Sequence, residues 1–310
     1  MFEFAGCLHL AQGYETVDEV RTAKSVTFTN SGPKIHDKER KWAQEMADLV
    51  GSLAGKQNAT FGLERMNANV AITLEELGLN IVKCIVPSRR ATEVAVGKLR
   101  DAVSPGLTEN QLWSVMHKSV IEQNGEYIEA RLLSVGPRTN PWFQESAGYV
   151  IQKNDLVVLD TDVVGCHGYY SDFSRIFHAG PGPPTEEQKG LYRIALAQVN
   201  HNMSILRPGL TFREYANPAW DIPGQYSASR YFVSAHGCGL TGEYPYFYDR
   251  GDFSDAVYDG VIEPARVLCV KSYIGEEGGT LGVKLEQQVL ITETGIHILS
   301  TFPFEESMLK

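Results

Sequence analysis

The stretch Asp155-Leu-Val-Val-Leu-Asp160-Thr-Asp162, followed by Asp172-Phe-Ser-Arg-Ile-Phe177, decides the fold. The first segment is a continuous run of branched residues, as in a strand buried on both faces, and the second alternates like its antiparallel partner. The loop between them, Val163-Val-Gly-Cys-His-Gly-Tyr-Tyr170, carries glycines suited to a tight return. Asp160, Asp162 and Asp172 therefore fall on two adjacent strand candidates, with Val157, Val158 and Leu159 placing hydrocarbon around Asp160. A carboxylate in such surroundings is costly unless neutralised, and a cation is the simplest partner.

Farther along, His236 precedes Gly237-Cys238-Gly239, and Glu286 sits inside Val283-Lys-Leu-Glu-Gln-Gln-Val-Leu-Ile291. Three aspartates, one histidine and one glutamate in strand or glycine-turn contexts suit a hard or borderline divalent ion: manganese, iron, cobalt or zinc, one ion or two. Taken singly, each such residue is more often a turn former, a strand-end cap or a structural histidine. Residues 266–274, 283–291 and 296–301 read as further strands between glycine-rich turns. Pro105-Gly106-Leu107-Thr108-Glu109 reads as a turn and helix N-cap, with Leu112, Val115, Met116 and Ser119 continuing one face, and Thr185 caps a long helix that Pro208-Gly209 stops.

The first ninety residues read as a small α/β unit, with an amphipathic helix over 37–54 (Trp42, Met46, Leu49, Val50 and Leu53 on one face) and another over 70–77. Pro87-Ser88-Arg89-Arg90, after the apolar run 81–86, predicts a linker or tight crossover, dividing the chain into domains 1–88 and 89–310.

The 310 residues are 43% hydrophobic and 21% charged, as in ordinary globular proteins, and long enough for a substantial core. Lys+Arg 28 against Asp+Glu 38 gives −10, a surface that repels phosphate backbones and anionic lipids, so neither nucleic acid nor membrane is an expected partner. There is no window of membrane-span length and no basic signal-peptide start at Met1-Phe2-Glu3, so a soluble cytoplasmic protein acting on a small molecule is expected. The five cysteines are widely spaced with no C-x-x-C pair, and are expected to be reduced.

Order and spacing sharpen the metal reading. The series Leu-Asp160-Thr-Asp162, Gly168-Tyr-Tyr-Ser-Asp172-Phe-Ser-Arg175, Ala-His236-Gly-Cys-Gly-Leu240 and Leu-Glu286-Gln-Gln-Val-Leu-Ile resembles the pita-bread metallohydrolase family of creatinase, prolidase and methionine aminopeptidase, over roughly residues 100 to 310. The resemblance implies an α/β (α+β) chain: a pita-bread catalytic domain with a curved, mostly antiparallel sheet, preceded by a shortened α/β N-terminal domain. It also implies a homodimer. Arg89-Arg90-Ala-Thr-Glu93 looks like a curtailed form of the helix that opens the family's catalytic domain.

Within the family the details lean away from peptidases, whose first two aspartates stand eleven apart; here Asp172 follows Asp160 by twelve and Asp162 by ten. Peptidases also carry a second histidine seven positions after the first, where this chain has Glu243. The acid doublet, Gly239-Leu-Thr-Gly-Glu-Tyr-Pro245, Gly136-Pro-Arg-Thr-Asn-Pro-Trp-Phe-Gln-Glu145 and Tyr231 look like the branch that cleaves dimethylsulfoniopropionate to dimethyl sulfide and acrylate. Two departures stand out: Lys271 replaces a ligating glutamate, and Gly242 replaces an aspartate proposed as the base.

The resemblance thus implies a metal-dependent carbon–sulfur lyase with Asp160, Asp162, Asp172, His236 and Glu286 on the metal, and Trp142 and Tyr231 lining the sulfonium pocket. The base falls to Glu243, Tyr231 or neutral Lys271. Lys271 is also expected to oppose a second ion and could serve as a surrogate cation among the aspartates. Tyr244, Tyr246, Phe247 and Tyr248 read mainly as packing residues. A Cys166/His167/Cys238 nucleophile is disfavoured, because no oxyanion motif accompanies it. The alternatives are an Xaa-Pro-type metallopeptidase and a non-catalytic pita-bread binding protein.

Overall fold

The structure, a computed structural model, describes residues 2–3, 8, 12, 18–22, 24, 32–63, 68–83, 86–165, 168–253 and 258–310. The chain divides into two units, Met1–Cys84 and Ile85–Lys310.

In the first unit, β1 (Phe2–Glu3) pairs in parallel with β2 (Arg21–Thr22). Then follow α1 (Ile35–Ala54), β3 (Thr60–Leu63), α2 (Ala68–Glu76) and β4 (Asn80–Lys83), with β3 and β4 parallel across the helix. Ala43 and Met46 of α1 meet Val70 and Leu74 of α2 in a small core, with Ala59 and Leu79 completing it. Leu53 does not join this face; it is exposed in the last turn before Gly55, whose positive φ ends α1.

The second unit opens with α3 (Val86–Ala102) and α4 (Glu109–Glu122). α3 runs through Pro87–Arg90, so no linker stands there: a proline in a first helical turn forfeits no intrahelical bond. Ser88 is buried and donates to the Tyr169 carbonyl at 2.6 Å, and Arg89 donates to the Leu299 carbonyl at 2.5 Å. Gly165 permits this approach, because a Cβ there would overlap Ser88. The Thr108 hydroxyl and the Gln111 side chain form a reciprocal capping box at the start of α4.

Short strands follow: β5 (Tyr127–Ile128), β6 (Leu133–Val135), β7 (Leu156–Asp160), β8 (Val163–Val164), β9 (Tyr170–Ser171) and β10 (Ser174–His178). β7 lies between β6 and β10, antiparallel to both, in a register that places Asp160 opposite Ser174. Next come α5 (Glu186–Ile205), capped by Thr185, then α6 (Phe212–Ala216), α7 (Gly224–Ser227), β11 (Val233–Gly237), β12 (Tyr246–Tyr248), β13 (Val267–Gly275), β14 (Gly282–Ile291) and β15 (Ile296–Ile298). These last strands form an antiparallel sheet in the order β12-β11-β13-β14-β15.

Strand alternation gives that sheet two unlike faces. Ala235, Leu268, Val270, Ile274, Val283, Leu285 and Val289 pack with Leu191, Tyr192, Ala195 and Val199 of α5. The alternate residues, His236, Cys269, Lys271, Lys284, Glu286 and Gln288, occupy the other face. All six are buried. Among the described residues no helix is long and apolar enough to cross a membrane. Cys238 and Cys269 are free thiols, while Cys7, Cys84 and Cys166 lie outside the described residues.

Candidate metal centre

Strand register gathers the polar face. His236 pairs opposite Cys269, and Lys271 opposite Glu286. Asp172 arrives from the turn between β9 and β10. Its Oδ2 lies 3.3 Å from His236 Nε2, which also sits 3.0 Å from Glu286 Oε1. The other ring nitrogen, Nδ1, is 3.0 Å from the Gly237 carbonyl. Burial and Lys271 work against a proton on this ring, but the bonds to Asp172 and Glu286 outweigh them and hold its pKa well above the usual histidine value.

Lys284 is the cation at the centre of the acidic group. Its Nζ donates to Asp160 Oδ2 at 2.5 Å, Glu286 Oε2 at 2.6 Å and Ser174 Oγ at 2.9 Å, which uses all three N–H bonds. Ser174 Oγ in turn donates to Asp160 Oδ1. Burial would strip the Lys284 proton, yet Asp160 and Glu286 prevail and raise its pKa well above the ordinary value. Burial pushes Asp160 up to about 7 despite Lys284, with Asp172 and Glu286 adding to the rise. Asp162, buried beside Asp172 and Asp160, is pushed well above the carboxylate range. Glu286 is the opposite case: burial disfavours its charge, but Lys284, Lys271 and His236 hold it well below.

Lys271 is placed differently from the surrogate cation expected among the aspartates; Lys284 holds that position. Lys271 is only 3% exposed, yet among the described residues its ammonium donates no hydrogen bond and has no acidic partner within 4.0 Å. Its Nζ stands over the Tyr231 ring, 4.4 Å from the centroid. Burial favours losing its proton, but Glu286, Tyr231 and Glu243 outweigh burial and Lys284, so the pKa is raised. Burial likewise raises the Tyr231 hydroxyl, with Lys271 opposing.

Glu243 Oε1 is 4.0 Å from His236 Nε2, and its Oε2 has no hydrogen-bond partner. Burial raises its pKa, but His236, Lys271 and a bond from Tyr246 lower it more, so it is ionised at neutral pH. At Gly242 a Cβ would meet the Tyr170 ring at 3.0 Å and Glu129 Oε2 at 3.3 Å. An aspartate there would press a second acid against Glu129. Trp142 faces Lys284, 4.9 Å from Nζ to the ring, and packs against Tyr273 and Phe143. Phe143 also meets Tyr231 at 5.4 Å between centroids.

The fold thus brings together Asp160, Asp172, His236, Lys271, Glu286, Tyr231, Trp142 and Glu243, with Asp162 beside Asp172. Cys166 and His167 lie outside the described residues. Sequence reasoning missed Lys284, Ser174 and Cys269. The strand period was a usable signal, since Lys284 is two residues before Glu286 and Cys269 two before Lys271.

The donor atoms of Asp172, His236, Cys269 and Glu286 lie within 4.8 Å of one another, which fits one divalent ion with mixed O, N and S ligands. They do not fit a pair. Lys284 fills the space between Asp160 and Glu286 that a second ion would need, and Lys271 brings a positive charge to the register position opposite Glu286. Loading an ion would release the shared proton of His236 and that of Cys269, whose thiol burial keeps protonated.

Comparisons with known proteins agree with this architecture. The chain is 39% identical over 211 residues to dimethylsulfoniopropionate lyase DddP of Roseovarius nubinhibens, covering 68% of this chain and 47% of that protein. It is 35% identical over 237 residues to the protein of that name from Roseobacter denitrificans, covering 75% and 53%. It therefore spans about half the length of these relatives. The prolidase of Pyrococcus horikoshii superposes with a TM-score of 0.65 at 19% identity, over 98% of this chain and 85% of that one, which shows a shared pita-bread fold. The family model matches residues 83–293, from the end of β4 past β14 and so through every residue of the metal cluster: the chain is a member of metallopeptidase family M24.

Proposed function

We propose that the chain is a carbon–sulfur lyase cleaving dimethylsulfoniopropionate to dimethyl sulfide and acrylate. The observation that carries this reading is Glu243, an ionised carboxylate with a free oxygen, 4.0 Å from His236. In the peptidase pattern a second histidine stands at that position. The two relatives named as dimethylsulfoniopropionate lyases support the same reading.

The family is dependent on divalent metal. An ion held by Asp172, His236, Cys269 and Glu286 would supply Lewis acidity next to a substrate carboxylate. Lys284 meanwhile keeps Asp160 paired and holds the acidic frame in place. Of the three candidate bases, Tyr231 and Lys271 are held in their protonated forms, which leaves Glu243. Its free Oε2 takes the proton from the carbon beside the carboxylate. The C–H electron pair becomes the C=C bond, and the C–S pair departs with sulfur as dimethyl sulfide. Trp142 and Tyr231 form aromatic walls for the sulfonium, which shares their rings with the Lys284 and Lys271 ammoniums and so gains less than the ~2 kcal/mol of an unshared desolvated contact. The resemblance extends to a cytoplasmic homodimer, which light scattering on purified protein tests at the level of assembly.

Headspace gas chromatography on purified protein with dimethylsulfoniopropionate and added manganese or iron tests the reaction, with Glu243→Gln alongside. Dimethyl sulfide from the parent and at least a 100-fold loss in the variant is the expected result. Silence from both, with release of proline from an Xaa-Pro dipeptide, replaces the lyase with a peptidase.

A further inference from the structure

Two lysines face the same group of acids, and they are used differently. Lys284 spends its three N–H donors on Asp160, Glu286 and Ser174. Lys271 spends none, although it is 3% exposed and its strand neighbours fix its place. Its stem is enclosed, but its Nζ is not among the fully buried polar atoms that lack a partner, so the ammonium tip opens into the site at a partial desolvation penalty that a methionine of the same volume would avoid. The Tyr231 ring beneath it offsets part of that penalty but accepts no conventional hydrogen bond. Three unused donors thus stand behind Tyr231 and Glu243, two partly exposed side chains at the edge of the site.

The structure assigns Lys271 to the binding of an anionic group of the ligand, a carboxylate. Two oxygens of a carboxylate complement a compact ammonium with free donors, and Lys284 has no N–H left to share the task. With the acid held at Lys271, Tyr231 and Glu243 are the neighbours whose charge Lys271 feels, and Phe143 and Trp142 continue the aromatic wall from Tyr231. The inference rests on the lyase reading only for naming the substrate. The carboxylate site stands on the unpaired ammonium, and Lys271 here is a binding residue that leaves proton transfer to Glu243.

Isothermal titration of the purified protein with propionate, and with propionamide as its neutral isostere, tests the assignment. Lys271→Met is expected to weaken propionate binding ~10- to 100-fold, the value of one charge-assisted hydrogen bond, and to leave propionamide unchanged. Lys271→Arg retains part of the affinity. The methionine variant also unfolds at the same temperature as the parent or higher, which a structural salt-bridge role would reverse. Propionate binding equal in parent and methionine variant overturns the assignment. In the unmodified chain labelled with 13C at lysine, propionate is expected to shift one buried Cε resonance; no shift also overturns it. Loss of propionate binding in Lys271→Met without dimethyl sulfide release from the parent keeps the carboxylate site and removes the lyase, and release with Lys271-independent binding does the reverse.

Discussion

Replacing Lys284 with methionine is expected to destabilise chelator-treated protein by about 3–5 kcal/mol at pH 8. The side chains involved are almost fully enclosed, with 1% exposure for Lys284, 6% for Asp160 and 0% for Glu286. Methionine matches the volume but leaves two carboxylates without their counter-ion, the situation in which a broken buried pair is most destabilising. Urea denaturation followed by tryptophan fluorescence reads the change as a lower midpoint at unchanged slope. The loss should shrink toward pH 5, where burial lets Asp160, already at about 7 with its lysine in place, take up a proton. Added manganese should also recover part of it, by supplying positive charge to the same acids. A loss below about 1 kcal/mol at pH 8, or a gain, would refute the assignment of Lys284 as the counter-ion.

Lys271→Glu alone should leave the metal content at the one ion per chain that the donor set fits, because Lys284 still fills the space between Asp160 and Glu286, whereas atomic emission should find it rising above one in Lys271→Glu combined with Lys284→Met. Asp249 has an oxygen with no partner, and burial, aided by Asp252, lifts its pKa to about 7 against the pull of Arg230. Because the folded-state value is raised, this group favours the native state below about pH 4 and loses that contribution as pH rises to 7, by about 4 kcal/mol at most. Asp249→Asn should flatten that slope in a series of denaturation curves and leave the variant more stable than the parent at pH 8. Glu109, fully buried, accepts the N–H groups of Val135 and Ala147 at 2.8 Å each and pairs with Arg138. Glu109→Ala should cost about 3 kcal/mol in the same assay, by orphaning two backbone donors and one guanidinium.

Much of this fold was legible from short-range chemistry. Thr108 and Thr185 announced their helices because a cap hydroxyl satisfies an otherwise orphaned N–H group, and the structure completes each cap with a glutamine three residues on. The branched run ending at Asp160 and the alternation after Asp172 announced an antiparallel pair. The Pro87–Arg90 stretch misled because proline both ends strands and begins helices, and the outcome depended on a hydrogen bond from Ser88 to Tyr169, 81 residues away. In the site, the acids and the histidine stood out as costly residues in apolar strands, and Asp172, His236 and Glu286 do converge. Lys284 was overlooked because a lysine between valine and leucine reads as a solvent-facing strand position until the register shows both sheet faces to be covered. Lys271 was noticed as a departure, but only geometry separates the cation among the acids from the cation beside the ring.

The placement of Lys284 two residues before its partner Glu286 has a consequence for how the chain depends on its surroundings. A counter-ion carried on the same strand has an effective concentration that dilution and chelation cannot lower. Glu286 therefore has a positive neighbour two residues away whether or not an ion is bound, and Asp160 gains the same neighbour once β7 and β14 are assembled. An ion at Asp172, His236, Cys269 and Glu286 would add to an acidic frame that Lys284 already holds together. Chelation would leave this part of the frame paired.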